Sequence, residues 1–460
     1  LVEIFGDQFG FSLGPSLKLH PQWVGDLVKN CEEGELHEYA ARLGTYLTPL
    51  GKVVSIPGNP KPKQPDSDIV KLFEMRGIKP PELFIRCATP DSAAYKSILR
   101  YRGGAPVGID MKRWAKCWRM MYHFYAPYCS NSKILTNQEV FDQVDMTGSP
   151  GWPWCMKYAS KEEFYKDECN LKYCDAVWEE GPWNGWTTFT QVMVKSEMRE
   201  KSKVEDNRLR TILPVCAVHT LVGQKLFRDQ QQRACRANLD IDTAMGASIF
   251  GGGTHLMALK IARHLFGCSL DIKACDSSLF EFFLMALADF KFSLLAAEHQ
   301  TPHNHRRIRW YYENVCKTPL VMPDGYVFEK GPFGAGGNLT GHVCTGDDNE
   351  KWATFLEFWV WLEDPEATLD DFLKYVSRLG HADDRIFTVD DPKFRFNPSD
   401  YAWIVKRDFG VVMESPNWGM VPWNQVTFLS FNFEWDDEYK MFFHAPDTTK
   451  ILCSLQWSKG

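Results

Sequence analysis

The chain is 460 residues long, with 44% hydrophobic and 14% aromatic residues and 17 tryptophans. That composition excludes disorder and supplies apolar surface for two or three packed subdomains. A formal net charge of −7 excludes a protein that coats nucleic acid without specificity, while leaving room for a local basic channel. The 14 cysteines contain no CxxC pair, so they read as buried, reduced thiols of an intracellular protein rather than a disulfide frame or zinc site. Apolar runs such as "FWVWL" at 358–362 fall far short of the roughly 20 residues that span a bilayer. The amino terminus, "LVEIFGDQFGF", lacks the basic and apolar regions of a secretion signal and does not begin with Met. The chain is therefore expected to be cut from a longer precursor.

In chain order, the Pro- and Lys-rich stretch "IPGNPKPKQPDSD" (56–68) reads as loop. Segments 95–104 and 111–125 have helical patterning with basic residues interleaved among aromatics, which suits either a template contact or an ordinary amphipathic surface. "TGSPGWPW" (147–154) is a Gly/Pro turn. Basic residues gather in "KSEMREKSKVEDNRLRTI" (195–212), where Lys195, Arg199, Lys201, Lys203, Arg208 and Arg210 face four acids. Arg199, Lys201 and Lys203 alternate, as do Arg208 and Arg210 beyond the turn-prone "EDN", so a hairpin would line its cations up on one face. Such a row is either a solvated ribbon or a cradle for a triphosphate.

A helix is expected over 254–266, a strand over 268–272 and a long apolar helix over 279–298. "HQTPHNH", with His299, His303 and His305, is the nearest approach to a metal cluster but reads as exposed loop. "HRRIRWYY" (305–312) leaves the same two readings open as the earlier basic helices. "KGPFGAGGNLTG" (330–341) is a glycine-rich loop leading into a helix closed by Pro365, and 375–391 reads as strand, tight turn, strand.

Two Asp-Asp pairs compete for a metal-binding role. Asp347 and Asp348 fall on the predicted helix, where neighbours point about 100° apart and cannot jointly face one ion. Asp383 and Asp384 fall at a hairpin apex, where they can meet an acid from another strand, and "LDIKACDSSLF" offers Asp271 at a strand end with Asp276 beyond it. Carboxylates brought together from separate strands repel unless a divalent cation lies between them, a set suited to two-metal phosphoryl transfer.

A basic hairpin, then Asp-x4-Asp, a glycine-rich loop entering a helix, and a hairpin Asp-Asp together resemble the RNA-dependent RNA polymerases of positive-strand RNA viruses, of the picornavirus-like and astrovirus-like kind. The order matches that family's motifs F, A, B and C, over about 147–431. Lys195, Arg199, Lys203, Arg208 and Arg210 take the places of motif F, and Asp271 and Asp276 those of motif A. Thr340, Gly341, Thr345 and Asn349 fall at motif B spacing, which makes the Gly-Asp-Asp at 346–348 a decoy. Ala382-Asp383-Asp384 stands as motif C, "TGSPGWPW" is similar to the template-guiding motif G, and "VTFLSF" (426–431) to the primer-grip motif E.

The resemblance implies an α+β right hand whose palm is an antiparallel sheet backed by helices. It implies fingers and fingertips over 1–227, palm over 228–276 and 331–431, a fingers insertion over 277–330, and a short or truncated thumb over 432–460. It further implies Asp271 and Asp383 as main ligands of two Mg2+ ions, with Mn2+ as the alternative, and Asp384 as a secondary ligand. Asp276, Thr345 and Asn349 would read the ribose 2′-hydroxyl. Lys195 and Arg210 would meet the NTP triphosphate, Arg199, Lys203 and Arg208 would line its approach, and Thr340 and Gly341 would form a mobile loop near the nascent base pair. Template and product RNA, NTPs and other viral replication proteins are the implied partners, at membrane-associated replication complexes in the host cytoplasm.

Two positions depart from the family pattern. Trp418 stands where relatives carry a proton-donating lysine, leaving Lys406 as the substitute candidate, and Ala382 replaces a glycine, which suits a backbone of negative φ. Reverse transcription and a noncatalytic RNA-binding scaffold are the rival readings. The first would put a bulky aromatic gate where Asp276 and Asn349 stand.

Overall fold

Alternation of apolar side chains builds the centre of the molecule. The computed structural model describes residues 28–29, 38–44, 47–53, 66–78, 83–86, 90–102, 105–330, 336–390 and 396–457. The hairpin expected over 375–391 forms as strands Ser377–His381 and Asp384–Val389, paired in antiparallel register from Ser377 opposite Thr388 to His381 opposite Asp384. Strand Phe266–Ile272 pairs antiparallel with Asp384–Val389, and Met413–Glu414 and Val421–Pro422 pair with Phe266–Ile272 in turn. Leu379 and Ile386 point into one apolar cluster with Met257, Ile261, Phe428 and Phe431, while Phe387 and Val389 join the main core. The sheet is thus buried on both faces, as its period of two requires.

The main core holds much of the aromatic content. The helix Thr345–Trp361 is buried from Asp347 to Trp361. Around it, Trp114 stacks on Phe282, and Phe283, Trp352, Phe355 and Phe409 make further ring contacts. Trp352 and Phe355 belong to that helix, and the other rings come from the helices Met111–Cys129, Glu281–Ser293 and Pro398–Phe409. A second sheet runs in the order Val28–Lys29, Thr48–Val53, Tyr326–Glu329, Pro319–Val321, Thr190–Gln191. After the central sheet comes a hairpin, Phe431–Asp436 with Met441–Pro446, and a helix, Thr448–Leu455. That helix packs on strand Phe84–Arg86, and Asp66 N–H donates to Gln456 O at 2.7 Å, so the last elements meet the first ones as in a closed hand.

Several expectations are corrected. The helix predicted over 254–266 is Gly253–Ile261, because Phe266 already belongs to the central strand. The one predicted over 279–298 is Glu281–Ser293, followed by a separate 3-10 turn, Ala297–His299. "HQTPHNH" is not a loop throughout: Thr301 caps a helix, Pro302–Cys316, by accepting from Asn304 N at 3.2 Å, and His305 pairs with Asp289. Thr followed by Pro is a helix-start signal. The arginines of "HRRIRWYY" lie on that helix and are paired, Arg306 to Glu313, Arg307 to Glu179 and Arg309 to Asp289. Asp66 caps a helix, Ser67–Met75, inside the stretch read as loop, whose earlier part (56–65) lies outside the described residues, as do 331–335 of the glycine-rich loop. Among the described residues the cysteines are free thiols, most of them buried, with Cys169 exposed.

Candidate active site

Asp271 lies directly opposite Asp384 across one strand pair and opposite Glu414 across the other. Asp383 occupies the turn between His381 and Asp384, and its carbonyl accepts from Ile272 N at 3.4 Å. Two stretches far apart in the chain therefore deliver their acids to one sheet edge. Burial, then Asp383, Asp384 and Glu414, push the Asp271 carboxyl up to about 7, with Arg210 opposing. Burial also raises Asp384 to about 6 and raises Asp383, which Arg210 partly offsets. Asp271 still reaches solvent, and the cluster carries more negative charge than its own surroundings neutralise. Hard carboxylate oxygens in such a set fit a divalent cation.

The turn and its neighbours hold these acids in place. Ala382 has φ +58°, in the left-handed region, which corrects the expectation of negative φ. A two-residue hairpin loop between strands of right-handed twist demands it at this position. The Ala382 N–H donates to Glu350 Oε2 at 2.9 Å. Asp384 Oδ2 accepts from Leu429 N at 2.8 Å, within a tight turn closed by two Phe428–Phe431 backbone hydrogen bonds. The segment resembling motif E thus touches the aspartate pair directly.

Asp276 is buried beside this edge. Its Oδ2 accepts from the Tyr101 hydroxyl at 2.8 Å and its Oδ1 from Ser277 N at 2.9 Å. Asn338 links it to Asn349, its N–H donating to Asp276 O at 2.6 Å and its Nδ2 to Asn349 Oδ1 at 3.0 Å. The Thr345 hydroxyl is engaged with Leu339 O at 2.6 Å and His342 O at 2.9 Å, so in this structure it serves its own loop. Thr340 Oγ1 accepts from Leu213 N at 2.9 Å, and Gly341 lies so close to Leu213 and Pro214 that a Cβ would stand 2.6 Å from both. That contact ties the loop to the segment following the basic stretch. Tyr101 escaped the sequence reading because it lies outside the motifs, and Asn338 because it sits in the glycine-rich loop two residues before the first motif B position, Thr340.

The basic stretch is not the expected hairpin. Met198–Glu200 pairs with Phe84–Arg86, Lys201–Glu205 is a helical turn, and Thr211–Ile212 pairs with Met193–Val194. Lys201 and Lys203 consequently leave the strand face. Lys195, Arg199 and Arg210 gather instead around Glu197, at 3.1, 3.9 and 3.7 Å. Lys203 pairs with Glu200 and Arg208 with Asp206, both at 2.6 Å. Glu197 is thus the organiser of the cation group nearest the carboxylates. Lys406 is an exposed residue of the helix Pro398–Phe409, packed against Thr345–Trp361 on the side of the sheet backed by helices. The lysine at the carboxylate edge is Lys273, which pairs with Glu414 at 2.8 Å. Trp418 is partly exposed.

The first Asp-Asp pair has a different environment. Lys291 reaches Asp347 at 2.8 Å and Asp348 at 2.5 Å, and Lys351 also pairs with Asp347. Tyr312 OH donates to Asp348 Oδ1 at 2.9 Å. Burial pulls Lys291 down, but the two aspartates outweigh it and hold the ammonium charged. His342, Cys344 and Asp348 stand within 4.8 Å of one another, yet that site already contains the Lys291 cation. It is an internal ion cluster, as the decoy reading required.

Comparison with known proteins identifies the family and the fold. The family described as viral RNA-dependent RNA polymerase matches residues 90–460. The non-structural polyprotein 1AB of Turkey astrovirus 1 is 26% identical over 341 residues, 71% of this chain and 20% of that protein. The genome polyprotein of Beet mosaic virus is 26% identical over 227 residues, 47% of this chain and 7% of that protein. The chain therefore spans a fifth or less of the curated polyproteins it matches here. A solved structure, the Sicinivirus 3Dpol RNA dependent RNA polymerase, superposes with a TM-score of 0.71 at 15% identity, covering 89% of this chain and 87% of that one. With the family match extending over most of its length, the chain belongs to the viral RNA-dependent RNA polymerases, among those of positive-strand RNA viruses.

Proposed function

We propose that this chain extends an RNA 3′-hydroxyl with NTPs on an RNA template, at the sheet edge where Asp271, Asp383 and Asp384 meet. The observation that carries the reading is the direct pairing of Asp271 with Asp384 in an under-neutralised carboxylate cluster. Asp271 and Asp383 would hold two divalent cations, Mg2+ or alternatively Mn2+, with Asp384 as the further ligand. When bound, such ions make the attacking hydroxyl nucleophilic and stabilise the leaving oxygens.

The chain's own residues bind and orient the substrates. Arg210 and Lys195, spaced around Glu197, offset the triphosphate charge, and Arg199, Lys203 and Arg208 line its approach. Asp276 and Asn349, joined through Asn338, present polar groups to the ribose 2′-hydroxyl, with Thr345 supporting the same loop. Thr340 and Gly341 border the nascent base pair. A reverse transcriptase would carry an aromatic gate in place of these polar groups. Other replication proteins and a membrane-associated complex in the host cytoplasm complete the reading. Primer extension on a defined RNA template tests it: NTP incorporation dictated by the template is expected, and a preference for dNTPs would overturn it.

A further inference from the structure

Beneath the aspartate turn runs a buried chain of alternating charges that the reaction itself does not use. Lys260 pairs with Asp242, and Arg378 Nε reaches the same carboxylate at 2.9 Å. Arg378 also pairs with Glu357, and Arg385 Nε meets Glu357 Oε1 at 2.8 Å. Arg385 then pairs with Glu350, whose other oxygen accepts from Ala382 N–H. Three cations alternate with three anions, so the chain is neutral as a whole, and Arg378, Glu357, Arg385 and Glu350 are almost wholly buried. Phe124, Phe358 and Phe372 cover the Arg378 guanidinium.

The chain ends at the one residue of the turn whose backbone is unfavourable. Ala382 sits at φ +58°, a conformation that a Cβ disfavours and glycine does not. A charge-assisted hydrogen bond on its N–H offsets that tendency, and only a carboxylate whose second oxygen is fixed elsewhere can aim the first. Arg385 provides that fixing. The glycine of this hairpin is Gly380, outside the turn, where a Cβ would stand 1.5 Å from Arg385 Nη1. Space for the guanidinium, not backbone freedom, requires it there.

We propose that Glu350 is a positioning residue for the catalytic turn: fixed by Arg385 across Gly380, it holds Ala382 left-handed and so sets where Asp383 presents its carboxylate. The long helix Thr345–Trp361, which also carries Asn349 and Glu357, is thereby coupled to the turn of the aspartate hairpin through Glu350. The inference rests on the reading of Asp383 as an ion ligand.

The test compares E350Q, A382G, E350Q/A382G and D383N in primer extension with Mg2+ titration. E350Q is expected to lower kcat and raise the Mg2+ concentration for half-maximal rate, each by about tenfold, with KM for NTP within about twofold. The A382G change is expected to restore most of both losses, because glycine accepts the turn without the hydrogen bond. A merely structural Glu350 would lower the melting temperature and the active fraction, leave the Mg2+ midpoint unmoved and gain nothing from A382G; that result overturns the proposal. Should the uncompensated positive charge left in the buried chain make E350Q insoluble, the charge-balanced pair E350Q/R385Q, with and without A382G, carries the same comparison. If D383N itself polymerises like the unaltered protein, the reading of the site fails and this inference with it. If D383N is inactive while E350Q keeps its Mg2+ midpoint, only the inference fails.

Discussion

Asp271 and Asp384 face each other as a directly opposed pair in adjacent antiparallel strands, with Glu414 on the far side of Asp271. Asp383 adds a fourth carboxylate at the turn. Like charges in such a row are costly unless a cation joins them. The buried Asp347–Asp348 pair, by contrast, already encloses an ammonium, that of Lys291. One pair is short of positive charge and the other is supplied with it, and this difference, rather than a Gly-Asp-Asp spelling, separates chemistry from architecture.

The glycine of the decoy run is therefore dispensable. Gly346 lies in the first turn of the helix Thr345–Trp361, and a Cβ there meets only Met245 Cε at 3.4 Å and Sδ at 3.9 Å. G346A is expected to keep NTP incorporation within about twofold and to raise unfolding free energy by up to ~1 kcal/mol. A large loss of kcat with intact folding would return the decoy to the active site.

Lys291 matters for stability. K291M leaves two carboxylates in the core with only Lys351 beside Asp347, and is expected to cost about 3–5 kcal/mol in denaturant unfolding. The double variant K291M/D348N, which leaves the neutral Asp347–Lys351 pair, should recover part of that loss. No recovery would mean that volume, not charge, governs this cluster.

Tyr101 reaches from the amino-terminal half to Asp276, its hydroxyl donating at 2.8 Å. Losing a hydrogen bond to a charged acceptor costs about 1.5–3 kcal/mol, so Y101F is expected to reduce the preference for GTP over dGTP by about tenfold in kcat/KM. An unchanged preference would remove Tyr101 from ribose recognition.

Acid sensitivity has an identifiable source. Burial lowers the His219 imidazole to about 3; its ring stacks on Tyr311 and its Nδ1 meets Thr188 Oγ1 at 3.3 Å. The unfolded chain takes up that proton near pH 6.5. The folded chain does not, so this stability is complete above about pH 6.5 and lost as pH falls toward 3. His342, also held neutral by burial, acts in the same direction. Urea midpoints at pH 7.5 and 5 should therefore differ less in H219F than in the unaltered protein, by about 2 kcal/mol once converted; equal differences would contradict the assignment.

Much of this arrangement was legible in the sequence where local chemistry decides structure. The β-branched and aromatic residues of 375–391 predict the hairpin, and the spacing of 342–364 predicts the helix that exempts Asp347 and Asp348. What stayed hidden depends on distant partners. The basic stretch does not form its own hairpin because Met198–Glu200 pairs with Phe84–Arg86, and a turn of helix follows. Its hub, Glu197, is an acid in a run read for its cations. The left-handed Ala382 is supported by Glu350 from another element, which no local pattern around 382 announces. The capped helix at Thr301–Pro302, in contrast, carried a readable signal.

The central claim, that Asp271 and Asp383 share divalent cations at one sheet edge, is tested most directly by Mn2+ binding followed by electron paramagnetic resonance, with NTP present, in the unaltered protein, D271N and D383N. Both variants are expected to lose Mn2+ affinity by at least about tenfold and template-directed incorporation by about 100-fold or more, with RNA affinity nearly unchanged. Retention of Mn2+ binding and of incorporation in D383N would contradict it.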